Sequence, residues 1–182
     1  MATMYYLLFS ILFIGFWNPL GTHDHTIERK HELRQQIIAV AQAELGVKES
    51  TGNNDGDRVE EYLAYTHLGK GYAWCAAFIS WCYGKVGLPA PRNPWSPALF
   101  PLDKTYCKGN SCRNAGIVQQ IREADVFGIY GHNVRRINHV GLVSTVQHNY
   151  ILTIEGNSNN RVASRRRHLS TIYALSNWVG GE

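Results

Sequence analysis

The sequence predicts an α+β fold, with N-terminal helices packed on an antiparallel β-sheet. Three observations predict it. As far as about residue 85, apolar residues recur at helical spacing. From Ile121 onward they fall into short runs divided by Gly, Asn and His, the texture of strands and turns. Between the two lies Gly87–Pro101, which holds five of the six prolines and must be irregular. Helices first and strands second favour a segregated α+β arrangement over an alternating parallel one.

The 182 residues suit one domain. Hydrophobic residues make up 45% and charged residues 18%, which supports a packed core rather than a disordered chain. A net charge of +4 is too mild for a dedicated nucleic-acid binder. Residues 1–23 carry no Asp, Glu, Lys or Arg, and Met4–Trp17 is almost continuously apolar. Its length suits the core of a signal peptide better than a bilayer span, so the division expected is 1–23 as signal peptide or anchor and 24–182 as the folded domain. A secreted or periplasmic location follows. Membrane contact is expected only through that segment, if it is uncleaved.

Thr26–Leu45 is expected as the first helix. Ile37, Ile38, Ala41 and Leu45 form its apolar stripe, Arg34, Gln35, Gln42 and Glu44 its polar side, and Gly46 its end. Ser50–Asp57 is a turn-rich loop. Asp57–His67 is the second helix. Gly71–Gly84, free of charge, is a third, buried on most sides. Cys107–Asn114 is a loop. Strands are expected at Asp125–Tyr130, His139–Val146, Tyr150–Glu155, Arg161–Arg166 and Ile172–Val179.

Two features carry chemistry. Cys75 stands near the start of the third helix, where free N–H groups and the helix dipole favour a thiolate, the reactive form. His139 opens the run His139-Val140-Gly141-Leu142, and Thr153-Ile154-Glu155-Gly156-Asn157 follows on the next strand. In extended chain Glu155 and Asn157 share a face, so either can hold the imidazole while the imidazole deprotonates Cys75. From spacing alone, a cysteine in an apolar helix is more often packing.

The run Ala73-Trp74-Cys75-Ala76-Ala77-Phe78-Ile79-Ser80-Trp81-Cys82 resembles the nucleophile helix of CHAP-type amidases and peptidases, within the NlpC/P60 papain-like group. His139-Val140-Gly141-Leu142 resembles their histidine strand, and Glu155-Gly156-Asn157 their polar partners. Order and spacing agree, with 64 residues from Cys to His and 16 more to Glu. The similarity covers about residues 37–178. Asn138 stands where the family often has Gly before the His, and Ala124-Asp125 where Gly-Asp commonly opens the first strand.

The resemblance implies a papain-like NlpC/P60/CHAP fold and a peptidoglycan substrate. It implies cleavage of an amide, either the N-acetylmuramoyl-L-alanine bond or a stem or cross-bridge peptide bond. Cys75, His139, Glu155 and Asn157 become the catalytic candidates, with no metal and no cofactor. Tyr72 and Trp95 are the substrate-binding candidates, Tyr72 also as an oxyanion donor. Acyl or amide transfer is an alternative with the same residues, and a non-catalytic wall-binding module another. A redox protein lacks the C-x-x-C it needs. Whether an inhibitor or immunity protein exists is open.

Cys82 lies on the Cys75 stripe and is expected in the core. Cys107 and Cys112 are placed to form a small disulfide after export, or less readily to join His132 in a zinc site. Arg135-Arg136 and Arg165-Arg166-Arg167 are basic clusters, expected as solvated strand ends rather than wall-binding patches.

Overall fold

The computed structural model describes residues 20–180. Three α-helices, α1 (Leu20–Ala43), α2 (Asp57–Tyr65) and α3 (Cys75–Lys85), precede a six-stranded sheet. The strands are β1 (Thr105–Lys108), β2 (Val126–Gly131), β3 (Arg136–Gln147), β4 (Tyr150–Glu155), β5 (Ala163–His168) and β6 (Ala174–Ser176). Their order is β1-β6-β2-β3-β4-β5, and every pairing is antiparallel. The expected α+β fold is observed.

The sheet separates two apolar cores. Alternation along the strands assigns Val126, Val140, Leu142, Ile154 and Ala174 to the core shared with the helices. Their neighbours Phe127, Val143, Ile151 and Leu175 build the second core with Cys107, Cys112, Ile117 and Ile121. Helix α3 is central to the first. Cys75–Tyr83 are all buried, which explains why this stretch carries no charge.

Several boundaries differ from expectation. Helix α1 is already formed at Leu20, the first described residue, and ends at Ala43, two residues early, with Gly46 turning the chain at φ 91. Helix α2 stops at Tyr65, and His67 follows at φ 64. Helix α3 starts only at Cys75, since Gly71 at φ 93 keeps the preceding residues out of the helix. The end of β1, Cys107 and Lys108, falls inside the loop expected over 107–114, because Cys107 is buried beside Leu175 of β6 and bonded to Cys112 at 2.00 Å. That bond occupies both sulfurs, so neither is a free thiolate for zinc. Strand β5 starts at Ala163, and Arg161 forms only an isolated bridge with Lys48. The final strand shrinks to Ala174–Ser176, and Asn177 turns its side chain to Arg34 at 2.7 Å.

Two residues assigned to the polar side of α1 are buried. Arg34 donates to Asp125 at 2.8 Å and to the Glu123 carbonyl at 2.5 Å, tying α1 to the start of β2. Glu44 accepts two bonds from Arg58 and one from the Tyr62 hydroxyl, tying α1 to α2. Each charge is paired, as burial requires. Among the described residues, no helix is long and apolar enough to cross a membrane. Residues 1–19, most of the expected export segment, lie outside the described residues.

Candidate active site

Cys75 is the first residue of α3, and no side chain caps that end. The first turn of a helix has N–H groups without helical acceptors and about half a unit of positive charge. Cys75 therefore sits at the most anion-favouring point of the helix. Its Sγ lies 3.4 Å from Ser96 Oγ, a buried hydroxyl at the start of the 3₁₀ turn Ser96–Leu99. Burial pushes the Cys75 thiol up. The hydrogen bond and charge of His139 oppose this, with help from Ser96 and the Val140 N–H, and leave the thiol below its ordinary value.

His139 stands on β3, paired across to Ile129 of β2. Its Nε2 is 2.7 Å from Glu155 Oε2, and because a carboxylate only accepts, Nε2 carries the proton. Nδ1 is left for the thiol. Burial pushes the imidazole down, but the bonds to Cys75 and Glu155 outweigh it and raise His139 to about 9. Glu155, the last residue of β4, is fully buried. Burial pushes its carboxyl up, but Arg167, His139 and Thr153 hold it ionised and bring it down to about 2. Arg167 donates through Nε to Oε1 at 2.6 Å and through a terminal nitrogen to Oε2 at 2.5 Å. Thr153 donates to Oε1 at 2.6 Å.

Glycine explains the two short motifs sterically. A Cβ on Gly141 would lie 2.6 Å from the Phe127 ring and 2.7 Å from Glu155 Cγ. The position two residues after His139 is thus empty so that Glu155 can occupy it. A Cβ on Gly156 would lie 2.6 Å from Phe78 Cβ, so β4 can end against α3 only without one.

Asn157 is not beside the imidazole. The premise that it shares a face with Glu155 fails because β4 ends at Glu155 and Asn157 adopts φ 55. Its amide donates instead to Glu49 Oε1 at 2.8 Å and Asn54 Oδ1 at 2.9 Å. Glu49, also buried, accepts from the Trp74 indole at 2.8 Å and from the Asn54 backbone N–H at 2.9 Å. This cluster grips Trp74, the residue before Cys75. Tyr72 and Trp95 are 58% and 56% exposed, and each is close in sequence to a residue of the Cys75 surroundings, Cys75 itself and Ser96. Cys82 is buried with its thiol pushed well up by burial, the state of a packing residue.

Sequence reasoning missed Glu49, Ser96 and Arg167. Glu49 and Arg167 sit among charged and polar neighbours like any solvated residue, and Ser96 lies in a proline-rich loop. The only available signal was the Arg165-Arg166-Arg167 run at a strand, whose alternation forces one face inward.

The CHAP domain model matches residues 67–157, half of the chain, and spans Cys75, His139 and Glu155. The chain belongs to the CHAP domain family. Among solved structures, this CHAP protein is similar to the peptidoglycan hydrolase RipB of Mycobacterium tuberculosis. That match has a TM-score of 0.52 and 15% identity, and covers 93% of this chain and 75% of that one. It is also similar to the P60 domain of an antigen from M. avium paratuberculosis, with a TM-score of 0.50, 13% identity, and coverage of 85% of this chain and 97% of that one. The CHAP protein thus has the NlpC/P60-type fold. No curated protein matches it by sequence.

Proposed function

We propose that the chain is an exported cysteine hydrolase of peptidoglycan, cutting an amide as an amidase or endopeptidase. The observation that carries this is the Cys75–His139–Glu155 relay at an uncapped helix start. Membership of the CHAP family supports it, as does a fold shared with a peptidoglycan hydrolase.

In this reading, Cys75 and His139 rest as thiolate and imidazolium, since the thiol is lowered and the imidazole raised. The thiolate attacks the amide carbonyl carbon, and the electron pair moves to its oxygen. The Cys75 N–H at the helix start stabilises that oxyanion, and the Ser96 hydroxyl, 3.4 Å from Cys75 Sγ, is a side-chain donor for it. His139 gives its proton to the leaving amine. The C–N bond breaks and a thioester remains on Cys75. Neutral His139 then takes a proton from water, which attacks the thioester and returns the thiolate. Glu155 holds the imidazole through Nε2–H throughout. Tyr72 and Trp95 offer aromatic surface to the sugar or peptide. The apolar Met4–Trp17 segment supports export to where such a substrate lies.

The test is mass spectrometry of products from purified peptidoglycan treated with the full chain. The wild type is expected to release fragments, and Cys75→Ala to lose at least about a thousandfold in rate. Product masses separate the sugar–peptide amide from a peptide bond. Equal release by both proteins would show that Cys75 is not the nucleophile.

A further inference from the structure

Glu155 has more partners than orienting an imidazole requires. Its two oxygens take four hydrogen bonds: two from Arg167, one from Thr153 and one from His139. The Arg167 pair is a two-pronged fork, the strongest arrangement a carboxylate can accept. Arg167 is on β5, directly beside β4, and its guanidinium also lies 5.9 Å over the Phe127 ring. Glu155 is fully buried, so water shares little of its charge.

One buried carboxylate thus faces two cations whenever the imidazolium forms. The charged and titratable groups around it are Arg167 from β5, His139 from β3 and, through His139, Cys75 from α3. Arg165 on the same strand points its guanidinium to Ser158 instead. We propose that Arg167 is a positioning residue that keeps Glu155 ionised while taking up half of its charge, so that Glu155 orients His139 without trapping its proton.

The chemistry needs both halves. A general acid must hold its proton at working pH and still release it to the leaving amine. A buried carboxylate with no other cation would bind the imidazolium tightly and make it a poor acid. A buried carboxylate with no cation at all would take up a proton itself and stop accepting from Nε2–H. Arg167, permanently charged, prevents both.

This inference rests on the Cys75–His139 reading, and the experiment separates the two. Full-length wild type, Arg167→Gln and Arg167→Lys are alkylated with iodoacetate across pH, and the label on Cys75 is followed by peptide mass spectrometry. Iodoacetate is an anion, so its rate depends on the imidazolium as well as the thiolate. For wild type, reaction faster than a free thiol below pH 7 and a fall near pH 9 are expected. For Arg167→Gln the alkaline fall should move up by at least about half a pH unit, with rate lost on the acid side as Glu155 becomes protonatable. Lysine keeps the charge but not the fork, so Arg167→Lys should move less in the same direction. It also serves if Arg167→Gln does not fold. If the variants keep the wild-type profile at reduced amplitude, Arg167 is only structural and the inference falls. If wild-type Cys75 shows no enhanced reaction at all, the catalytic reading falls instead.

Discussion

Two buried carboxyl groups lie on either side of Cys75 in the site, Glu155 through His139 and Glu49 through Trp74, and they are held in opposite ways. Glu155 is bound by a guanidinium and by an imidazole that can charge. Glu49 is bound by three neutral donors: the Trp74 indole, the Asn157 amide and the Asn54 backbone N–H. The difference assigns them different work. The bond from His139 to Glu155 changes when the imidazole gains or loses a proton, whereas none of the Glu49 donors can change charge. The Glu155 cluster therefore governs protonation of His139. The Glu49 cluster cannot, and it governs where Trp74 ends and α3 begins. One site sets the charge of the Cys75–His139 pair and the other its geometry.

The sharpest way to break this comparison is to remove each carboxyl in turn. Glu155→Ala leaves the guanidinium of Arg167 and the ring of His139 without their acceptor. It should cost about 3 kcal/mol or more in denaturant unfolding and abolish most activity. The wild-type stability profile should carry the same signature. His139 is raised, so its contribution is complete below about pH 6.5 and is lost as pH climbs through about 9. Glu155 is lowered, so its contribution is present above about pH 4.5 and is lost as pH falls toward 2. Melting temperature measured against pH should show both slopes, and Glu155→Gln should flatten them.

Glu49→Ala strands an indole N–H and an amide. About 2 kcal/mol of destabilisation is expected, with a lower kcat. Here the pH profile of the remaining activity should not move. If it shifts, the two clusters are one electrostatic unit and the division of roles is wrong.

The same contrast explains what was legible in the sequence. Cys75, His139 and Glu155 were readable because each sits in a short motif whose spacing places it on a helix start or a strand. Asn157 was grouped with them because alternation assumes continued extension, and φ 55 ends that extension one residue after Gly156. Arg34 and Glu44 were placed on the polar side of the first helix because helical periodicity sees polarity, not the partner that arrives from far along the chain. Strand β1 was missed because four residues carry too little pattern, and its pairing with β6 and a disulfide decide it. The fold class survived these errors because it rests on the long α3 run and the β2–β4 meander. Glu49 was invisible because its role exists only after distant segments meet, and Arg167 was hidden inside a run that reads as solvated.

A smaller effect is expected where glycine makes room for the charged cluster. Gly141→Ala puts a methyl between Phe127 and Glu155, into contacts of 2.6–2.7 Å that real Cβ atoms do not make. The neighbours are a ring and a buried carboxylate held by four bonds, so neither gives way freely. About 1–2 kcal/mol of destabilisation is expected. Because Glu155 must shift, the alkaline limb should move as well. Gly156→Ala, set against Phe78 and Trp74, should disturb geometry without moving that limb, which places each glycine on its own side of the comparison.

The smallest expected effect lies at the start of β2, away from both clusters. Ala124 is fully buried at φ 61, a left-handed conformation that a side chain makes costly. It holds that conformation because its N–H donates to the Val143 carbonyl at 2.8 Å and its own carbonyl accepts from the Tyr83 hydroxyl at 2.5 Å. These bonds join β2 to β3 and to α3, and Asp125 next to it anchors Arg34 of α1. Glycine, without a Cβ, reaches this φ without strain. Ala124→Gly should therefore stabilise the protein by about 0.5–1 kcal/mol, the relief of strain exceeding the added freedom of the unfolded chain. The measurement is the denaturant midpoint of the two proteins at equal m-value. An unchanged or lower midpoint would show that the alanine methyl earns its place in the core between α3 and the sheet, against its backbone strain.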